Sequence, residues 1–178
     1  MRFFMYRGFT WLPLLLAICL LAGCGLFATA PETARQTSVP AYDLVAAIRA
    51  AGDREKSIID VNPLRDPGVS ALQDAAKKDE QVGRYADAAV KLDQALRLSP
   101  DSPDLLQDRA EIAIRLKDFA GAERFAHQSW SLGPRLGPLC ARNWQTIVEM
   151  RLQARDQAGA ATARKWVGQC HKAGVPRY

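Results

Sequence analysis

The sequence predicts an all-α chain, a tandem helical-repeat domain that follows an export signal and a tether. Two observations carry the fold class. Leu44, Val45 and Ile48, and the segments after Val69, place apolar residues at helical spacing. A single offset of 34 residues brings Tyr85 onto Phe119, Ala86 onto Ala120, Ala88 onto Ala122, Leu98 onto Leu132 and Pro100 onto Pro134. Self-similarity at a period of roughly 20 to 50 residues marks stacked units that bury their apolar faces against one another. A third observation, the apolar N-terminus, bears on where the domain resides.

Residues 1–23 read as a secretory signal peptide. Arg2 and Arg7 flank the start, an apolar run extends from Phe9 to Leu21, and Leu21-Ala22-Gly23-Cys24 closes it. Pro13 breaks the run, which falls short of the ~20 apolar residues that a membrane helix needs. The Leu-Ala-Gly-Cys end resembles the lipobox of bacterial lipoproteins. That resemblance implies cleavage before Cys24, acylation of the cysteine, and membrane attachment through several acyl chains, each buried CH₂ contributing about 0.8 kcal/mol. Gly25, where an aspartate would signal otherwise, resembles the outer-membrane sorting pattern, so the expected location is the periplasmic face of the outer membrane. The alternative is an ordinary secretory peptide that happens to contain Cys24.

Residues 24–41, with Ala28, Thr29, Ala30, Pro31, Thr37, Ser38 and Pro40, have the small, polar, proline-containing composition of a flexible tether. Within 42–68, the spacing predicts a short helix over Tyr42 to Ala51, ended by Gly52-Asp53. Ile58, Ile59, Val61, Pro63 and Asp66-Pro67-Gly68 then read as an extended connector.

From Val69 the repeats begin. Gly83-Arg84-Tyr85-Ala86-Asp87-Ala88-Ala89 marks a turn and the start of a second helix, closed by Ala95, Leu96, Leu98 and Pro100. Lys117-Asp118-Phe119-Ala120-Gly121-Ala122 reuses the design and ends at Trp130, Leu132 and Pro134, with Lys117 in place of the turn glycine. These residues resemble the tetratricopeptide-repeat (TPR) family, whose 34-residue unit is a helical hairpin with a turn, an aromatic plug, small residues where its helices touch, and a closing proline. The resemblance implies a right-handed solenoid of about three repeats over 69–172 (69–102, 103–136 and about 138–172), with 173–178 as a tail. Its structural positions here are Gly83, Tyr85, Ala88, Ala95, Pro100, Phe119, Ala122 and Pro134, with Ala76 facing Ala88 and Ala110 facing Ala122. The third repeat fits if roughly four residues are inserted after Pro134. Trp144 and Ile147 then fall on its first helix and Ala160, Ala161 and Trp166 on its second, while its Arg155-Asp156-Gln157 turn lacks both glycine and aromatic. A terminal unit is expected to be atypical, because it caps the stack.

Catalysis has little to stand on. The mature chain holds two histidines, His127 and His171, and no Gly-rich phosphate loop, Gly-x-Ser-x-Gly elbow or His-Glu-x-x-His helix. Cys140, Cys170 and His171 lack a fourth ligand at the usual close spacing, so neither a metal nor a cofactor is expected. The acidic residues sit among Lys and Arg at helical spacing, as Asp87 does with Lys91, which is how solvated faces look.

What remains is a surface. In the TPR family the first helix of each repeat lines a concave groove, and the corresponding positions here include Gln73 and Lys77, Gln107 and Glu111, and Gln145 and Glu149, with Arg142 nearby. A ladder of glutamines suits an extended peptide or a partner helix. The reading is an adaptor that holds a protein partner in the cell envelope, assisting assembly or positioning of a complex, with membrane contact through the N-terminal lipid and no small-molecule substrate. The alternative is an accessory lipoprotein that binds an anionic envelope polymer. From Phe125 onward eight basic residues face only Glu149 and Asp156, a formal +6, against −3 over residues 24–124. No nucleic-acid-binding motif accompanies that charge. An enzyme with an unrecognised site is the third possibility.

Two cysteines remain in the mature domain once Cys19 is removed and Cys24 acylated. Thiols in an oxidising compartment tend to pair, and Cys140 and Cys170 are each 15 residues from Arg155, opposite one another in an antiparallel hairpin. The expectation is a disulfide clipping the third hairpin, the alternative a pair of buried free thiols.

Overall fold

A computed structural model describes residues 42–55 and 65–171. The signal peptide, Cys24, the tether, the connector residues Ile58, Ile59, Val61 and Pro63, and the 173–178 tail all lie outside the described residues. Among the described residues the structure is helical throughout: α1 (Leu44–Asp53), α2 (Pro67–Gln81), α3 (Tyr85–Leu98), α4 (Pro103–Arg115), α5 (Phe119–Leu132), α6 (Pro138–Gln153) and α7 (Gln157–Gln169). The last six pair as hairpins, α2 with α3, α4 with α5 and α6 with α7, and the hairpins stack in order as a TPR-like solenoid.

Six of the seven helix starts, all but that of α3, carry a proline or a capping aspartate. Prolines open α2, α4 and α6, where the missing N–H lacks an intrahelical partner in any case. Asp43, Asp66, Asp118 and Asp156 accept hydrogen bonds from free amides in the first turns of α1, α2, α5 and α7. Within the hairpins, one turn is used three times. Gly83, Lys117 and Arg155 all adopt left-handed backbone, with φ of 77°, 63° and 59°. After each, the next amide donates to a carbonyl five residues back: Arg84 to Asp79, Asp118 to Ala113 and Asp156 to Arg151. This helix-ending pattern admits glycine freely and a side chain at a cost of order 1 kcal/mol. Backbone geometry thus places Lys117 and Arg155 as equivalents of Gly83, although neither is a glycine.

Small residues fill the hairpin interiors. Ala76, Ala88, Leu92, Ala95 and Leu105 share one buried cluster, with Tyr85 packed half-buried against it. Ala110 is buried with Ala126, Ala141, Trp144 and Val148, whereas Ala122 belongs to a different cluster with Val45 and Ile48 of α1, and Phe119 packs against that one. Leu98, Leu132, Pro100 and Pro134, which repeat at the common period, are exposed. They mark helix ends and contribute nothing to the core. Asp87 does not pair with Lys91: the lysine hydrogen-bonds Asp79, and Asp87 lies 3.7 Å from Arg84. Hydrogen bonds from Lys91 and Arg84 hold the Asp79 carboxyl below the usual carboxylate range.

Cys140 and Cys170 are joined by a disulfide with their Cα atoms 5.6 Å apart, linking the first turn of α6 to the residue after α7. The Gly137 amide also donates to the Cys170 carbonyl at 2.8 Å.

Helix α1 has no hairpin partner of its own. It passes over the neighbouring helix α2 and packs mainly on α6, with a smaller contact on α4. Gly52 lies inside α1, which continues through Asp53. A Cβ there would sit 2.8 Å from Arg142 Cγ and 3.1 Å from the Pro138 carbonyl, so glycine at this position permits close approach to α6 and does not end the helix.

Candidate functional site: the concave face

The first helices of the three hairpins, α2, α4 and α6, line one face, and α1 lies along its α6 end. Burial of Val45, Ile48 and Ala51 supplies the apolar part of that contact, against Ala113, Ile114, Ala122 and Met150. The polar part centres on Glu111 of α4, which is 0% exposed. One of its oxygens accepts from Arg49 Nε of α1 at 2.7 Å, and the other from Arg142 Nε and Nη2 of α6 at 2.9 and 2.7 Å. Arg49 reaches on to both carboxylate oxygens of Glu80 in α2 at 2.8 Å, and Arg142 to Asp108 at 3.0 Å. A single α1 arginine therefore ties the first helices of two repeats together, and Arg142 adds the third.

A buried carboxylate is costly unless its lone pairs are met, and here two guanidinium forks meet them. Burial works against the charge on Arg142, yet Glu111 and Asp108 outweigh it and hold the guanidinium well above an ordinary arginine pKa; Arg49 is shifted the same way by Glu111 and Glu80. Asp43 experiences burial that would raise its pKa, but the Ala46 amide and Arg115 hold it low. Tyr42 donates to Glu149 at 2.8 Å, and burial together with that carboxylate raises the phenol pKa.

The groove positions expected from the sequence divide in two. Gln107 is 0% exposed and donates to Glu111 and Thr146 at 3.0 and 2.9 Å. Gln145 donates to Glu149 at 2.7 Å, beside Tyr42. These residues, with Glu111, Arg142 and Glu149, are engaged within the chain, and Arg142 also borders the cleft. Gln73 and Lys77 of α2 border an open cleft of about 1090 Å³ between α1, α2 and α4. Gln73 donates to Asp108 at 2.7 Å and accepts from Arg65, which also pairs with Asp104. The Lys77 side chain is 55% exposed and its nearest carboxylate, Asp74, is 4.0 Å away. Arg65 and Arg115 also border the cleft, but their Nε atoms are buried and have no hydrogen-bond acceptor among the described residues.

Sequence reasoning missed Arg49, Glu80, Arg115 and Tyr42, all supplied or engaged by α1. The available signal was α1 itself, an amphipathic helix with a basic residue and no hairpin partner, whose apolar stripe had to be buried somewhere.

Among the described residues no group of three or more metal-ligating side chains converges, and no helix is long and apolar enough to cross a membrane. His171 lies 3.0 Å from Glu55 and His127 3.6 Å from Glu123, and the two pairs involve different helices.

Comparison with known proteins supports the architecture. A tetratricopeptide-repeat family profile matches residues 81–134. The globular C-terminal domain of P. aeruginosa LpoP is 31% identical, with a TM-score of 0.55, and the alignment covers 59% of this chain and 99% of that domain. The first TPR of Spaghetti (RPAP3), solved bound to the HSP90 peptide SRMEEVD, is 20% identical with a TM-score of 0.54, covering 60% of this chain and 84% of that one; this is a likeness of fold alone. No curated protein matches the sequence.

Proposed function

The chain belongs to the tetratricopeptide-repeat family, and from that premise we propose that it is a lipid-anchored adaptor of the bacterial cell envelope that docks a protein partner in the open half of its concave face. The observation that carries this reading is the division of that face. α1 packs on the α6 end with apolar burial and fixed ion pairs, while the α2–α4 end keeps an open cleft with the exposed Lys77 at its rim. A segment bearing carboxylate oxygens would meet Lys77 beside Gln73 at the rim. Anchoring through Cys24, at the periplasmic face of the outer membrane, is supported by Leu21-Ala22-Gly23-Cys24 and by the likeness to the LpoP domain.

Two measurements test this reading. Metabolic labelling with a fatty-acid analogue should label the wild-type protein and not Cys24→Ser, which should accumulate as unprocessed precursor; equal labelling and processing would remove the anchor. Affinity capture from native envelopes should then yield a partner that Gln73→Ala with Lys77→Glu loses at least tenfold, with helicity unchanged. Undiminished capture by that variant would place docking elsewhere. Gln107→Glu is unsuitable as a probe, because it would bury a second carboxylate beside Glu111.

A further inference from the structure

Away from the Glu111 network, the junction of the second and third hairpins gathers three tryptophans. Trp144 of α6 lies in the core. Trp166 of α7 stacks on it, with ring centroids 5.3 Å apart and planes inclined by only 12°. Trp130 of α5 meets both edge-on, at 5.1 and 6.3 Å, and His127 meets Trp144 edge-on at 5.9 Å. Trp144 is thus covered, whereas Trp166 is 40% exposed. One face of its indole rests on Trp144, which fixes the tilt of a partly exposed ring.

A cation is fixed beside this platform. The Arg135 guanidinium lies 3.8 Å over the Trp130 ring and donates to the Trp130 and Ser131 carbonyls at 2.8 and 3.2 Å. That leaves further N–H donors unused. Around Glu111 every arginine is matched by a carboxylate, but Arg135 and the exposed Lys165 have no carboxylate partner among the described residues. The surrounding sequence, from Phe125 onward, carries a formal +6.

We propose that the Trp166 platform and Arg135 form a second binding site, for a glycan chain that carries carboxylates. A flat, partly exposed indole held by a stacked, near-parallel partner matches the apolar C–H face of a pyranose ring. An adjacent guanidinium with free donors matches a carboxylate substituent on the same chain. A protein partner is the less suitable occupant, because an aromatic hot spot is fully desolvated in a pocket and Trp166 is 40% exposed. The site does not depend on the docking cleft, and the two are separable by mutation.

The test uses the full-length protein in detergent and three soluble probes: peptide-free strands of alternating N-acetylglucosamine and N-acetylmuramic acid, which carry lactyl carboxylates; N-acetylglucosamine oligomers of equal length, which have the rings without the charge; and polyglutamate, which has the charge without the rings. Titration calorimetry should show the muramic acid strands binding at least tenfold more tightly than either control. Trp166→Ala should lose at least tenfold, and Trp166→Tyr should recover part of that loss. Arg135→Gln should erase the preference over the neutral oligomer, with helicity and the Cys140–Cys170 bond intact in every variant. Equal binding of the neutral oligomer, equal binding of polyglutamate, competition by anionic phospholipid vesicles, or wild-type binding by Trp166→Ala would each overturn the proposal. Partner capture through Lys77 should be unchanged in Trp166→Ala, so failure here is distinguishable from failure of the docking reading.

Discussion

The two ends of the concave face are built from the same kind of helix and differ in what covers them. At the α6 end, α1 contributes Val45, Ile48, Gly52 and Arg49, and the wall becomes core: Gln107 and Glu111 lose all contact with water. At the α2 end the equivalent positions, Gln73 and Lys77, stay at the rim of an open cleft. Equivalent positions in a repeat are therefore enclosed in one unit, while in another Lys77 is left exposed. A helix from outside the repeat decides which role each takes.

Substitutions at the filled end of the face should cost stability, and those on the exposed rim of the open end should not. The largest effect is expected from Cys140→Ser with Cys170→Ser, which frees the hairpin bearing α6. Opening a 30-residue loop should lower stability by about 3–4 kcal/mol in the chain-entropy account. Amide exchange should then accelerate in α1 as well as in α6 and α7, because α1 rests on α6. Protection in α1 that survives loss of the bond would show that its docking does not depend on the third hairpin.

Glu111→Ala strikes the charged centre directly. Breaking a buried ion pair leaves uncompensated charge, but Arg49 and Arg142 keep Glu80 and Asp108. A loss of about 3 kcal/mol in denaturant unfolding is expected, near the low end for such a change. Ala88→Leu, inside the first hairpin and away from α1, should overpack a fully buried position and cost about 1–3 kcal/mol without altering exchange in α1. Lys77→Glu, on the rim, should change stability by no more than about 0.5 kcal/mol.

The hairpins were legible because their determinants are local and periodic: the alanines at 34-residue spacing and the turn at Gly83; the helix starts were not, since Asp66-Pro67-Gly68, expected in an extended connector, caps and opens α2. The turns at Lys117 and Arg155 were harder to read, since the stack enforces a left-handed backbone that those residues would not choose alone. Arg155 follows Lys117 by 38 positions, four more than the common period. The docking of α1 was not legible. Its pairing with α6 spans about 90 residues of chain and leaves no periodic trace, so Glu111 and Gln107 read as exposed groove residues although both are fully buried. The Trp130–Trp144–Trp166 cluster was equally hidden, because its rings come from three helices whose sequence spacing repeats nothing.

The division of the concave face is most directly tested by site-specific photocrosslinking in native envelopes, with a photoreactive side chain at Lys77 in one strain and at Gln145 in another. The account predicts an adduct between this chain and a partner from Lys77, and from Gln145 only internal products with α1. A partner adduct from Gln145, with none from Lys77, would contradict it.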